Sequence, residues 1–254
     1  MLIVPQEWML GFLLVMARVG GLMALAPLPG ARMFPPTAKA AFVLVLSFLL
    51  LPTATILPTG PVGMGTMTAW MLHEAAFGLA VGLALLFLNE MLALAAQMLG
   101  FQAGYSYINT IDPSTQVDAT ILNVLLALLG GLLLFSLDLH LQVIRALAVS
   151  LTRVPLGEFT LQAPAALQLA KLGSTVFETA VRLALPVVAI LLLLDIALAL
   201  LSYVNARLQL LTLSFPIKML VTMGALYIIV LAVPRLFQDL VRQALAAVYR
   251  LLAV

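Results

Sequence analysis

The chain predicts an all-α membrane protein with about six apolar helical segments and an amphipathic C-terminal helix. Three observations carry that reading. Residues are 64% hydrophobic and only 9% charged, where an ordinary soluble domain carries about 25% charged. So few charges cannot clothe a water-facing surface on 254 residues. Mean hydropathy is +1.20. The apolar residues also fall in runs near the ~20 needed to cross a ~30 Å hydrocarbon core, parted by proline, glycine and polar clusters.

Taken in order, the first run is Trp8–Ala26. Its end, Ala24-Leu25-Ala26, imitates a signal peptide, but no Lys or Arg precedes the run and Pro27 would follow the cut, so a retained helix is expected. Ala40–Leu57 comes after the Pro27–Pro36 stretch. Trp70–Phe101 and Thr120–Leu151 hold about 32 residues each, or ~48 Å as straight helices, more than tilt comfortably absorbs. Gly130-Gly131, near the middle of the second, is expected to kink it or fold it into a hairpin. The other way to house such helices is to let them project beyond the bilayer inside a protein assembly. Phe177–Val204 and Leu211–Val233 complete the six, set off by Arg153–Gly173 and Asn205–Gln209.

The tail, Arg235–Val254, places Phe237, Leu240, Val241, Ala244, Leu245, Val248, Leu251 and Leu252 at helical spacing. Arg235, Gln238, Asp239, Arg242 and Arg250 lie largely off that stripe. Two readings stay open: an amphipathic helix on a membrane surface or a partner, and a core-packed last helix. Residues 1–254 read as a single multi-pass domain. With six spans, Arg153, Lys171, Arg235, Arg242 and Arg250 share the side of both termini, against Arg32, Lys39 and Arg207 opposite. That balance favours a cytoplasmic C-terminus.

Composition excludes several functions. There is no cysteine, which removes disulfide frameworks, thiolate metal sites and thiol nucleophiles. A net charge of +2 is spread from Arg18 to Arg250 without a basic patch, so nucleic acid is not an expected partner. His73-Glu74 is followed by Ala75-Ala76-Phe77, not by the second histidine of a zinc-binding helix. No P-loop, nucleophile elbow or dinucleotide fingerprint is present, so no enzyme activity, metal or cofactor is expected.

The informative residues are those that do not belong in lipid. Arg18, Glu74, Glu90, Asp138, Arg145, Glu178, Arg182, Asp195 and Lys218 interrupt the apolar runs. Each would cost roughly 2.5–3.5 kcal/mol at a bilayer centre. Glu178 and Arg182 stand at i, i+4 and can pair on their own helix. Arg18, Glu74, Asp138, Asp195 and Lys218 are expected to make polar contacts between helices or between subunits. The pairs Gly78/Gly82 and Gly100/Gly104 have the small-x-x-x-small spacing that lets helix backbones approach closely. In the polar stretch Gln97–Gln116, Asp112-Pro113 breaks the helix, yet Tyr105, Tyr107, Ile108 and Ile111 are more apolar than a solvent loop needs. They form either an interfacial aromatic belt or a constriction that closes a pathway by excluding water. A stand-alone carrier of a small solute, the rival class, predicts an internal repeat between halves, and no convincing repeat is seen.

Together these stretches resemble the flagellar biosynthetic protein FliR family of the type III secretion export gate. The resemblance covers nearly the whole chain. It rests on Ala17-Arg-Val-Gly-Gly-Leu22, Ala26-Pro-Leu-Pro-Gly30 and Pro35, Glu74 with Gly78 and Gly82, and Gln97-Met98 with Gly100, Gly104 and Asp112-Pro113. Phe135, His140, Pro155 with Gly157, Pro186, Asp195 and Ser214-Phe-Pro-Ile-Lys218 continue it. The chain departs from the family's Asn-Pro-Gln turn, having Tyr203-Val-Asn-Ala-Arg-Leu there. Virulence injectisome homologues share the plan and are the alternative.

The resemblance implies one subunit of an inner-membrane gate in the flagellar basal body, built with several copies of the P and Q export-gate proteins and touching the B protein. Kinked helical hairpins would wind into a larger helical assembly, and unfolded flagellar proteins would pass through it. It also implies that the loop with Tyr105, Tyr107, Ile108, Ile111, Asp112 and Pro113 plugs the conduit, with Tyr107 and Ile111 as the blocking side chains.

Overall fold

A computed structural model describes residues 6–26, 35–54, 63–105, 121–159, 163–204 and 210–251. Those residues form seven α-helices and a short 3-10 turn, with no strand among them. The helices are α1 (Gln6–Leu25), α2 (Pro36–Leu50, ending in the turn Leu51–Thr53), α3 (Met64–Ala103), α4 (Ile121–Ser136), α5 (Leu139–Arg153), α6 (Ala163–Val204) and α7 (Leu210–Leu251). Five helices are long and apolar enough to cross a membrane, and α4 with α5, as one bent span, brings the number to six. The chain is an all-α membrane protein.

Local chemistry sets the helix starts and faces. Glu7 lies in the first turn of α1, where a carboxylate meets the positive end of the helix dipole. Leu10, Leu14, Val15, Arg18, Val19 and Leu22 form its buried stripe, at the spacing of one helix face. Pro36 opens α2, where a missing amide proton costs nothing because the first turn has no acceptor for it. On α2 only Leu46, Ser47 and Leu50 are buried, leaving Phe42, Leu44, Val45, Phe48 and Leu49 outward.

Helix α3 is the most enclosed element. In its most apolar window 56% of the residues are buried within the chain, against 22% in α2, α6 and α7. Apolar residues on every side of a helix fit such enclosure, and Met91, Leu92, Ala95, Ala96, Leu99 and Ala103 are all fully buried.

Three expectations are corrected. The helix continues through Gly130-Gly131, and the 61° bend between α4 and α5 falls later, at Leu137-Asp138. Gly130 instead faces Leu92, whose Cδ1 would stand 2.8 Å from an added Cβ: the glycine serves close packing. Asp138 takes the left-handed conformation at φ 53°, which Asp tolerates better than most residues. The Asp138 carbonyl then accepts the Leu141 and Gln142 amides at 3.1 Å, restarting the ladder in α5. Second, α6 begins at Ala163, well before Phe177, and runs for 42 residues. Third, the tail is no separate helix: α7 is continuous over 42 residues. Phe237, Leu240, Val241, Ala244 and Val248 are buried within the chain, while Arg235, Gln238, Asp239, Arg242 and Arg250 stay exposed. Both helices come to ~63 Å, about twice a hydrocarbon core. Pro186 lies inside α6, and Pro216 and Pro234 lie inside α7.

The chain divides into two compact units. One comprises Met1–Phe87, Leu134–Gly173 and Val241–Val254, and the other Leu88–Leu133 and Ser174–Leu240. In the first, α1 packs on α2, and the turn Leu51–Thr53 meets both α1 and α5.

Candidate functional site: two polar centres

In the first unit the stranded charges gather around one pair. Arg18 on α1 and Glu74 on α3 are fully buried and joined through Arg18 Nε and Glu74 Oε2. Arg18 Nη1 donates to the Ser150 hydroxyl on α5 at 3.0 Å, and that hydroxyl donates to Leu147 O at 2.6 Å. The second carboxylate oxygen, Glu74 Oε1, accepts the Gly157 amide at 2.8 Å. Phe77 lies against the guanidinium, with Arg18 Cζ 4.8 Å from the ring centroid. Phe159 meets Phe77 edge-on, centroids 5.0 Å apart at 80°. Buried charges persist when paired and hydrogen-bonded, and here nearly every polar atom is spent. Arg18 Nη2 is the exception, with no hydrogen-bond partner among the described residues.

Glycines bring these groups together. On α3, Glu74, Gly78 and Gly82 share the face toward α1. A Cβ on Gly78 would overlap the Arg18 carbonyl oxygen, and one on Gly82 would lie 2.7 Å from Leu22 O. From the other side, a Cβ on Gly21 would overlap the Ala75 carbonyl oxygen. The two backbones touch because neither carries side chains there. Gly157 has φ 89° and lies under the Trp70 ring, 2.7–2.9 Å from where a Cβ would be. Only glycine takes that conformation in that space without strain, and its amide reaches Glu74 as a result. His73 Nδ1 stands 3.3 Å from Gly157 O. The centre thus fastens α1, α3, α5 and the 154–159 segment to one another.

The second unit holds a smaller centre. Asp195 on α6 is bound from two sides: Lys218 Nζ on α7 approaches Oδ1 at 2.5 Å, and Gln102 Nε2 on α3 donates to Oδ2 at 3.0 Å. It is more open than the first, with Asp195 38% and Lys218 15% exposed. Just beyond Gln102 the chain leaves α3. Gly104 has φ 84° and faces the Phe215 ring, at 2.8 and 2.9 Å from an added Cβ. The Tyr105 amide donates to Gly100 O at 3.0 Å, closing the helix end in the manner of a glycine cap. Burial pushes the Tyr105 phenol above its ordinary value, so it stays neutral.

The other expected site residues are dispersed. Asp138 is exposed at the α4–α5 bend and its side chain makes no capping hydrogen bond. Glu178 and Arg182 pair at 2.5 Å on the outer face of α6. Tyr107, Ile108, Ile111, Asp112 and Pro113 lie outside the described residues. Sequence reading passed over Ser150, Trp70 and Phe77, which carried no local signal, and it did not single out Gln102, although a glutamine two residues before a helix-ending glycine was a usable one. Among the described residues no group of three His, Asp or Glu side chains could hold a metal ion.

The family described as Bacterial export proteins, family 1 matches residues 9–244. A flagellar biosynthetic protein FliR of Escherichia coli (strain K12) is 28% identical over 217 residues, 85% of this chain and 82% of its own. The protein of the same name from Pectobacterium carotovorum subsp. carotovorum is 26% identical over 229 residues, covering 90% and 87%. That from Caulobacter vibrioides is 26% identical over 238 residues, covering 91% and 93%. All three names are flagellar, which does not favour the injectisome alternative. With the match running through α1, both polar centres and most of α7, the chain belongs to family 1 of the bacterial export proteins.

Proposed function

We propose that this chain is a structural and gating subunit of the flagellar type III protein export apparatus, set in the bacterial inner membrane at the flagellar basal body. The observation that carries the reading is the family match over residues 9–244, on a chain whose long apolar helices leave much of their surface uncovered. In α6 and α7 only 22% of the most apolar window is buried within the chain, and the helices outrun a bilayer about twofold. Surface of that kind calls for neighbouring subunits as well as lipid. The P and Q export-gate proteins, in several copies each, and the B protein are the proposed neighbours. Unfolded flagellar proteins are the proposed cargo.

The mechanism is gating without catalysis. The segment from Tyr105 to Pro113 closes the conduit, with Tyr107 and Ile111 as blocking side chains, and passage favours the displaced state. In the reconstituted complex of this chain with its P and Q partners, replacing Tyr107 and Ile111 by Gly raises the leak of small solutes. A leak unchanged by that double replacement removes the plug from the proposal. Native mass of the chain purified with and without P and Q tests the assembly: a self-sufficient monomer that carries solutes in vesicles would overturn it.

A further inference from the structure

From Leu88 to Ala103 the chain leaves only Glu90, Gln97 and Phe101 of α3 exposed, Phe101 to 74%. At about 100° per residue the three fall within ~40° of one another. They form a single stripe, with half-buried Leu94 between them. Among the described residues the acids held in ion pairs are Glu74, Glu178 and Asp195. Glu90 has no such pair there, and neither it nor Gln97 makes a side-chain hydrogen bond. Glu90 is also the sole charged residue from Ala75 to Ala103. Helix α4 gives the contrast. Over Ile121–Leu133 its exposed residues are Ile121, Val124, Leu125, Ala127, Leu128 and Leu132, an apolar face that hydrocarbon accepts. The α3 stripe suits neither solvent. Hydrocarbon penalises an unpaired carboxylate, and glutamate lacks the long stem that lets lysine carry its charge away. Water would hydrate Glu90 and Gln97 but leave the Phe101 ring uncovered.

We propose that the stripe Glu90, Leu94, Gln97 and Phe101 docks one apolar helix of a neighbouring export-gate subunit, which sets a lysine or arginine opposite Glu90. This inference rests on the reading of the chain as one subunit among several, and it names the face and the chemistry of the contact. Charge selects the occupant: a carboxylate covered by protein persists beside an ammonium or guanidinium and hardly otherwise. Geometry selects a helix. One stripe of about 16 Å from Glu90 to Phe101 matches a single helix crossing at a small angle. Gln97 lies two turns beyond Glu90, about 10 Å, so a basic and a second polar residue two turns apart on the partner meet both. Phe101 supplies the aromatic contact that interfaces favour. A passing polypeptide fits less well, because its sequence changes as it moves and no fixed cation stays opposite Glu90.

The test uses the complex of the full chain with its partner subunits in membranes. A photoreactive phenylalanine analogue at position 97 or 101 is expected to give adducts to the same helix of one partner subunit. A lysine or arginine of that helix should lie within one turn of the level of Glu90. Glu90→Lys is expected to lower recovery of that partner with the chain roughly tenfold or more, and changing the mapped basic residue to Glu restores it. Because Glu90 is uncovered in the chain alone, the variant's own level in membranes should match wild type. Where that level falls, Glu90→Gln replaces it and lowers recovery in the same direction by less. Adducts to exported protein alone put the stripe on the passage and overturn the proposal. Absence of any protein adduct from both positions in an assembled complex gives the face to lipid and overturns it too. Wild-type partner recovery with the Glu90 variant removes the ion pair, and the proposal with it. In all three cases the subunit reading stands. Failure to recover any partner with the wild-type chain overturns that reading and this inference together.

Discussion

The two polar centres solve the same problem in opposite ways. Arg18 and Glu74 are fully buried, tied to Ser150 and Gly157 and pressed by Phe77, with helix backbones in contact around them. Asp195 and Lys218 keep part of their surface open and hold one amide of α3. A closed network whose atoms are nearly all engaged has one arrangement and resists change. An open pair with a single extra tether has alternatives close by. The first behaves as a fixed joint between helices, the second as a contact that can be exchanged.

The largest effect should come from breaking the fixed joint on one side. Glu74→Leu strands a buried guanidinium and is expected to cost about 3–5 kcal/mol, a large share of the stability of any domain, seen as loss of the chain from membranes or a collapse of its thermal unfolding in detergent. Adding Arg18→Met to that variant should recover most of the loss, because two apolar side chains can replace a buried pair at little cost. A double variant no better than the single one would mean that the pair itself, and not the unpaired charge, matters. Next in size is Gly78→Ala, whose new methyl overlaps a backbone carbonyl of α1. Overpacking of that kind costs ~1–3 kcal/mol, and the same unfolding measurement reads it. Asp195→Asn sharpens the contrast: the pair is more open than the first and Asn keeps a polar group beside Gln102 and Lys218, so the same measurement should show a smaller loss than Glu74→Leu. A destabilisation as large as that of Glu74→Leu would erase the distinction between the centres. Smallest is Glu178→Ala: its pair with Arg182 is 60% and 74% exposed, and an i, i+4 pair of this kind gives about 0.3–0.5 kcal/mol.

Much of this was legible in the residues. Apolar runs gave the helices, since each must satisfy its own backbone away from water, and the cost of charge in lipid marked Arg18, Glu74, Asp195 and Lys218. What no local pattern supplied was the choice of partner. Arg18 and Glu74 lie 56 positions apart, and nothing near either names the other. Gly78 and Gly82 indicated a close helix contact but not that α1 would make it. Gly130-Gly131 misled because glycine permits a kink and permits close packing alike, and the demand of Leu92 for space decided between them. The real bend, at Asp138, depends on one residue entering the left-handed region, which no local pattern announces. The tail left two readings open for a related reason: an amphipathic stripe says that an apolar face is covered, not by what.

Each proline set within a long helix has a consequence for how these rods flex. Pro186 and Pro234 bring no amide proton, so the carbonyls of Arg182 and Val230, four positions upstream, lose their in-line donors. A rod missing one rung yields there before it yields elsewhere. Any bending of α6 and α7 is therefore concentrated at those turns, leaving the segments on either side to move as stiff levers.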